Sequence, residues 1–201
     1  RQRPAVAPSS PWLHPTPPRQ PSWHHGHVEH PLVEIARDSI ARHVAGRPRI
    51  PRHLEDSGPV PWGVFVSLHG PAGETAEGPL RGCIGSLDLH STSVEKEVAK
   101  VAVSSATSDP RFPPLGADEI GDLAITVYLL HTPETVGGPE DLDPRRFGII
   151  VTGRGGRRGL LLPALPGIDD PEQQLDLATR KAGLSPGSKI TIERFTADIL
   201  H

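Results

Sequence analysis

The chain has 201 residues, a formal charge of −3, 35% hydrophobic and 22% charged residues, a composition within the range of soluble domains and a length that suits one substantial core or two small lobes sharing a boundary. No stretch approaches the ~20 apolar residues of a membrane span, and no apolar core near the start marks a secretory signal, so a cytoplasmic protein is expected. Cys83 is the single cysteine, which excludes an intrachain disulfide and a cysteine zinc site. Beyond residue 30, 18 Lys and Arg stand against 23 Asp and Glu, and that acidic balance offers no broad face for nucleic acid.

Residues 1–30 hold seven of the 24 prolines and five of the 11 histidines without apolar periodicity, the pattern of a disordered or extended leader. The chain starts at Arg1 and contains no Met, which suits a leader that ends a linker from an upstream domain. His24, His25, His27 and His30 offer closely spaced imidazoles to a transition metal, against the plainer reading of a solvated linker.

From Pro31, residues Leu32, Ile35, Ala36, Ile40 and Val44 recur at helical spacing, with Gly46 as a stop. The proline-rich stretch 47–61 reads as a loop leading into a strand over Trp62–Leu68, and the turn-rich Gly70–Gly78 joins it to a second strand over Leu80–Leu87 as an antiparallel hairpin. A second helix carries Val94, Val98, Val101, Ala102 and Ala106 on one face, with Thr92 and Glu95 as a capping box and Asp109-Pro110 as its end. Leu123–Leu130 reads as a strand, and Phe147–Thr152 with Arg158–Leu162 as a hairpin. The third helix has Asp170 as N-cap, Pro171 at its first position and Gly183 past its end; Lys189–Phe195 supplies the last strand. Short connections favour hairpins over crossovers, so the expected class is α+β with mainly antiparallel pairing.

Leu80-Arg81-Gly82-Cys83-Ile84-Gly85 and Asp109-Pro110-Arg111-Phe112-Pro113-Pro114-Leu115 are similar to blocks of the AMMECR family, called AmmeMemoRadiSam system protein A in bacteria. Gly63–Val66, Gly148–Val151, Gly156–Pro163 and Arg180–Leu184 resemble further family blocks in the same order. The resemblance spans most of 31–201. It implies an α+β fold with a larger lobe over about 31–76 and 116–201, a smaller inserted lobe over about 77–115, and a cleft between them. It further implies a link to a Memo-like protein and a radical S-adenosylmethionine protein as partners, and supplies no reaction.

Strand alternation puts Arg81 and Cys83 on one face and Leu80, Gly82 and Ile84 on the other. A guanidinium beside a thiol favours the nucleophilic thiolate, so Cys83 and Arg81 are the candidate catalytic pair. Gly82 and Gly85 would let a ligand approach the backbone. In the plainer alternative Cys83 is small and buried, Arg81 pairs with an acid, and the glycines permit close packing. The prolines of 109–115 stiffen a loop that presents Asp109, Arg111 and Phe112 to a ligand or partner, or that ends a helix with a local ion pair and anchors Phe112 in the core. His69 and His90 are the sequence-near candidates for a base and read more simply as loop residues. Gly153–Gly159 reads as a solvated hairpin turn rather than an anion cradle, and no nucleotide, metal or flavin motif assigns a cofactor. Two functions stay open: an enzyme component acting on a small molecule or modified residue through Cys83 and Arg81, or a non-catalytic adaptor.

Overall fold

The computed structural model describes residues 29–47, 61–71, 78–87, 89 and 93–201; His24, His25, His27, His90 and Thr92 lie outside them. The first helix, α1 (Pro31–Val44), buries Leu32, Val33, Ala36 and Ile40, and Gly46 follows it at φ +66°, the left-handed geometry that suits glycine beyond a helix end. Its cap is not one of the usual short polar residues: His30 uses Nδ1 to accept from the Leu32 amide at 3.2 Å.

Strands β1 (Gly63–His69) and β2 (Leu80–Ser86) form the expected hairpin. Helix α2 (Val94–Thr107) starts after Ser93, whose hydroxyl accepts from Lys96 N; the cap is therefore one residue later than Thr92, because a hydroxyl can close the first turn only from the residue flanking it. Next come β3 (Ala124–Leu130), β4 (Glu134–Val136), β5 (Gly148–Gly153), β6 (Arg158–Leu161), α3 (Pro171–Lys181), β7 (Ile190–Phe195) and β8 (Ala197–Leu200). Helix α3 has the expected ends, with Asp170 accepting from Gln173 N at 2.8 Å and Gly183 at φ +67°.

Among the described residues, eight strands build two antiparallel sheets, ordered β2-β1-β3-β8 and β4-β7-β5-β6, so the fold is α+β. Two strands go beyond the sequence reading. Lys189–Phe195 is not the last strand, since β8 follows after Thr196 and pairs with β3. Strand β4 has three residues, too few for alternation to show, and is held by pairing with β7.

Alternation on β1 and β3 sends Val64, Val66, Leu68, Ile125 and Val127 into one core with α1 and α2. Ile149, Val151 and Ile192 pack with Ala178 and Ala182 of α3 in a second. A third cluster, with Leu130, Ile150, Leu160 and Phe195 and, against them, Phe65 and Tyr128, joins the opposite faces of the two sheets. Each fully buried side chain of this size contributes about 1.5–3 kcal/mol. The segment 77–115, expected as an inserted lobe, gives β2 to the same sheet as β1 and α2 to the same core as α1.

Candidate functional site

Strand β2 lies at the edge of its sheet, where outward N–H and C=O groups need partners. At Cys83 the 109–111 loop supplies them: the Cys83 amide donates to Asp109 Oδ2 at 2.9 Å, and Arg111 Nη2 donates to the Cys83 carbonyl at 3.3 Å. Arg111 also grips Asp109 through two side-chain bonds of 3.0 and 2.7 Å and one from its backbone amide at 3.1 Å. The Arg111 hydrogen bonds hold the buried Asp109 carboxyl well below the usual carboxylate range, with the Cys83 amide helping in the same direction. Phe112 is half-buried, and the Arg111 guanidinium lies 5.3 Å from its ring centre. The loop is thus both a local ion pair and a clamp on the cysteine strand.

Because the Cys83 N–H and C=O both point away from β1, Cys83 and its register partner Ser67 form a non-hydrogen-bonded pair, the closer of the two antiparallel pairings. The half-buried thiol therefore lies across the hairpin from the Ser67 hydroxyl. Ser67 Oγ lies 2.8 Å from His69 Nε2, and His69 Nδ1 lies 2.9 Å from the Gly78 carbonyl. His69 therefore sits at the end of β1 and hydrogen-bonds toward the thiol's partner, a placement that a loop reading of this residue does not include.

Arg81 is engaged by other groups. Its guanidinium binds Glu119 at 2.7 and 3.1 Å and the Pro113 carbonyl at 2.8 Å, and the Arg81 bond is the main reason the Glu119 carboxyl lies below its ordinary range. Burial pushes the Cys83 thiol up and outweighs Arg111 and Lys181, which favour the thiolate, while Asp109 adds to the rise. Lys181, at the end of α3, is pushed down by desolvation, while Cys83 draws it the other way and Arg111 adds to the lowering. Burial therefore keeps Cys83 a neutral thiol.

The glycines of the motif are filled by protein atoms. A Cβ on Gly82 would lie 2.2 Å from the Ser105 carbonyl oxygen of α2, and one on Gly85 would lie 2.3 Å from the Phe65 ring. Behind the strand, the Ser105 hydroxyl accepts from the Ile84 amide at 3.0 Å and donates to the Val66 carbonyl at 2.9 Å, tying helix to both strands.

Cys83, Asp109, Arg111 and Phe112, candidates from the sequence, are brought together by the fold. Ser67, whose role depends on hairpin register, and Lys181, which lies about a hundred residues away from Cys83 in the chain, carry no such signal in the sequence. The Gly153–Gly159 turn contributes Arg157, whose Nη1 donates to the Gly183 carbonyl at 2.6 Å, beside Lys181. A cavity of about 660 Å³ lies elsewhere, lined by His30, Ile35, Trp62, Leu129 and Leu200 among others. Among the described residues no group of three His, Cys, Asp or Glu could hold a metal, and no helix is long and apolar enough to cross a membrane.

Fold and site together define an α+β domain of two antiparallel sheets with a clamped, half-buried cysteine on an edge strand. The chain belongs to the AMMECR1 family, whose model matches residues 33–200. A Thermotoga maritima protein is 38% identical over 178 residues, covering 85% of this chain and 97% of that protein. A Clostridium acetobutylicum protein is 36% identical over 169 residues, covering 82% of this chain and 34% of its own longer length. The crystal structure of an uncharacterized protein from Pyrococcus horikoshii matches with a TM-score of 0.71 at 33% identity, covering 84% of this chain and 88% of that one.

Proposed function

We propose that this protein is an enzyme component whose Cys83 thiol meets an anionic small molecule, or the anionic group of a modified residue, in a cleft beside β2. The observation that supports this reading is the Arg111 guanidinium, held 3.3 Å from the Cys83 carbonyl; Arg111 and Lys181 both favour the thiolate, and Asp109 opposes them. With the thiol neutral, that set carries one net positive charge, which a bound carboxylate or phosphate balances. Arg111 is more than half exposed at its side chain and so keeps donor capacity beyond its bonds to Asp109 and Cys83. Arg81 and Glu119 then brace the strand, and Gly82 and Gly85 set its distance from α2 and Phe65.

Paired alkylation tests the reading, since Cys83 is the only thiol. Negatively charged iodoacetate is expected to gain on neutral iodoacetamide at Cys83, relative to the ratio of the two rates for free cysteine. Lys181→Ala is expected to return that ratio toward the free-thiol value. A wild-type ratio no higher than that of free cysteine rejects an anion-selective thiol site.

A further inference from the structure

We infer that Ser67 and His69 form a two-step proton relay that takes the Cys83 proton as the sulfur attacks, making His69 the base of the site. This deepens the reading above and rests on Cys83 being the reacting group.

The directions of the hydrogen bonds follow from what each partner can do. The Gly78 carbonyl only accepts, so His69 Nδ1, 2.9 Å away, carries the proton in the neutral ring. Nε2 is left as an acceptor and takes the Ser67 hydroxyl proton across 2.8 Å. A serine that donates to the imidazole keeps its lone pairs for the S–H of Cys83, its register partner across the hairpin. The three groups share one face of the hairpin: Ser67 and His69 are two residues apart on β1, and Ser67 pairs directly with Cys83. Ser67 is only 5% exposed, so the middle of the relay is sheltered from exchange with bulk water.

The step balances without any further group. As sulfur forms its bond to an electrophilic carbon, the leaving group departs with the electron pair of the bond it breaks. The S–H proton passes to Ser67 Oγ while the Ser67 proton passes to His69 Nε2. The products are a thioether or thioester, the departing anion, a regenerated serine and an imidazolium whose Nδ1–H still faces Gly78. The relay answers the cost of burial: a desolvated thiol holds its proton, so a base is needed at the moment of attack. Arg111, bonded to the Cys83 carbonyl, and Lys181 at the end of α3 favour the developing negative charge, and Asp109 opposes it.

The experiment measures iodoacetamide alkylation of the full chain at fixed neutral pH for wild type, Ser67→Ala, Ser67→Thr and His69→Gln, with thermal melting to confirm that each variant is folded. Loss of a positioned base typically costs 10²–10⁴-fold, so Ser67→Ala and His69→Gln are expected to slow the reaction by about a hundredfold. Ser67→Thr, which keeps the hydroxyl, is expected to recover much of the rate, a rescue that a packing role for Ser67 does not predict. Folded Ser67→Ala and His69→Gln proteins reacting at the wild-type rate overturn the relay.

If the variants fail to fold, wild type alone decides. The relay requires the Nδ1–H tautomer by nitrogen NMR and a hydrogen-bonded S–H stretch in the infrared, which Cys83 reports alone. An Nε2–H tautomer or a free S–H stretch overturns it. The outcome is separable from the anion reading: a normal iodoacetate ratio with slowed Ser67 and His69 variants rejects the anion site and leaves the relay standing. A raised ratio with unaffected variants does the reverse.

Discussion

Gly82→Ala is expected to destabilise the fold by about 3 kcal/mol, at the upper end of the usual cost of overpacking. The added methyl would meet the Ser105 carbonyl oxygen at 2.2 Å and its carbonyl carbon at 3.1 Å. Both are backbone atoms inside α2, so no rotamer change relieves the contact and helix and strand must part. Parting them also strains the Ser105 hydroxyl bridge between the Ile84 amide and the Val66 carbonyl. A urea melt reads the change as a lower midpoint at unchanged slope. Gly121→Ala, where a Cβ meets nothing within 4 Å, is the matched control and should not carry this steric cost. Equal midpoints for Gly82→Ala and wild type would show that the strand is not held this closely to the helix.

Asp109→Asn is expected to cost about 2 kcal/mol near neutral pH, within the range for hydrogen bonds to charged groups. The carboxylate is 4% exposed and accepts from the Cys83 amide and from Arg111 side chain and backbone. Asparagine keeps the shape but loses the charge and one acceptor. The pH dependence has a definite sign. The folded-state Asp109 carboxyl lies below its unfolded value, so between the two values the unfolded chain binds more protons, and stability falls as pH falls. The Asp109 contribution is complete above the ordinary aspartate value of about 4 and is lost as acid carries the pH down through the folded value. The gap between wild type and Asp109→Asn should therefore narrow below about pH 4. Glu119, lowered by Arg81, adds acid sensitivity to both proteins and does not change their difference. A gap that stays constant from pH 6 to pH 2 would mean that the carboxylate charge is not what holds the loop.

The three helices and the two hairpins were legible because their signals are local: apolar residues at helical spacing in α1 and α2, the Asp170-Pro171 start of α3, and turn-bounded runs of β-branched residues. Strands β4 and β8 were not, since three or four residues of mixed polarity acquire strand geometry only from the neighbours that pair with them. The site divides in the same way. Cys83, Asp109 and Arg111 lie in blocks whose composition attracts notice. Their arrangement did not follow from it: Arg81 shares a strand face with Cys83 in the pattern, yet Glu119 captures its guanidinium. The cations that favour the thiolate, Arg111 and Lys181, come from a loop 28 residues on and from the end of α3. Ser67 became visible only through hairpin register, because a single serine among the apolar residues of β1 says nothing about what lies across from it.

The Asp109 and Arg111 clamp has a second consequence, for how these molecules meet one another. An edge strand with free N–H and C=O groups is a template onto which another chain's strand can add, and β2 is such an edge. At Cys83 both backbone positions are already taken by Asp109 and Arg111, so an incoming strand finds that rung occupied. The loop that shapes the surroundings of the thiol also keeps copies of the protein from growing onto one another there.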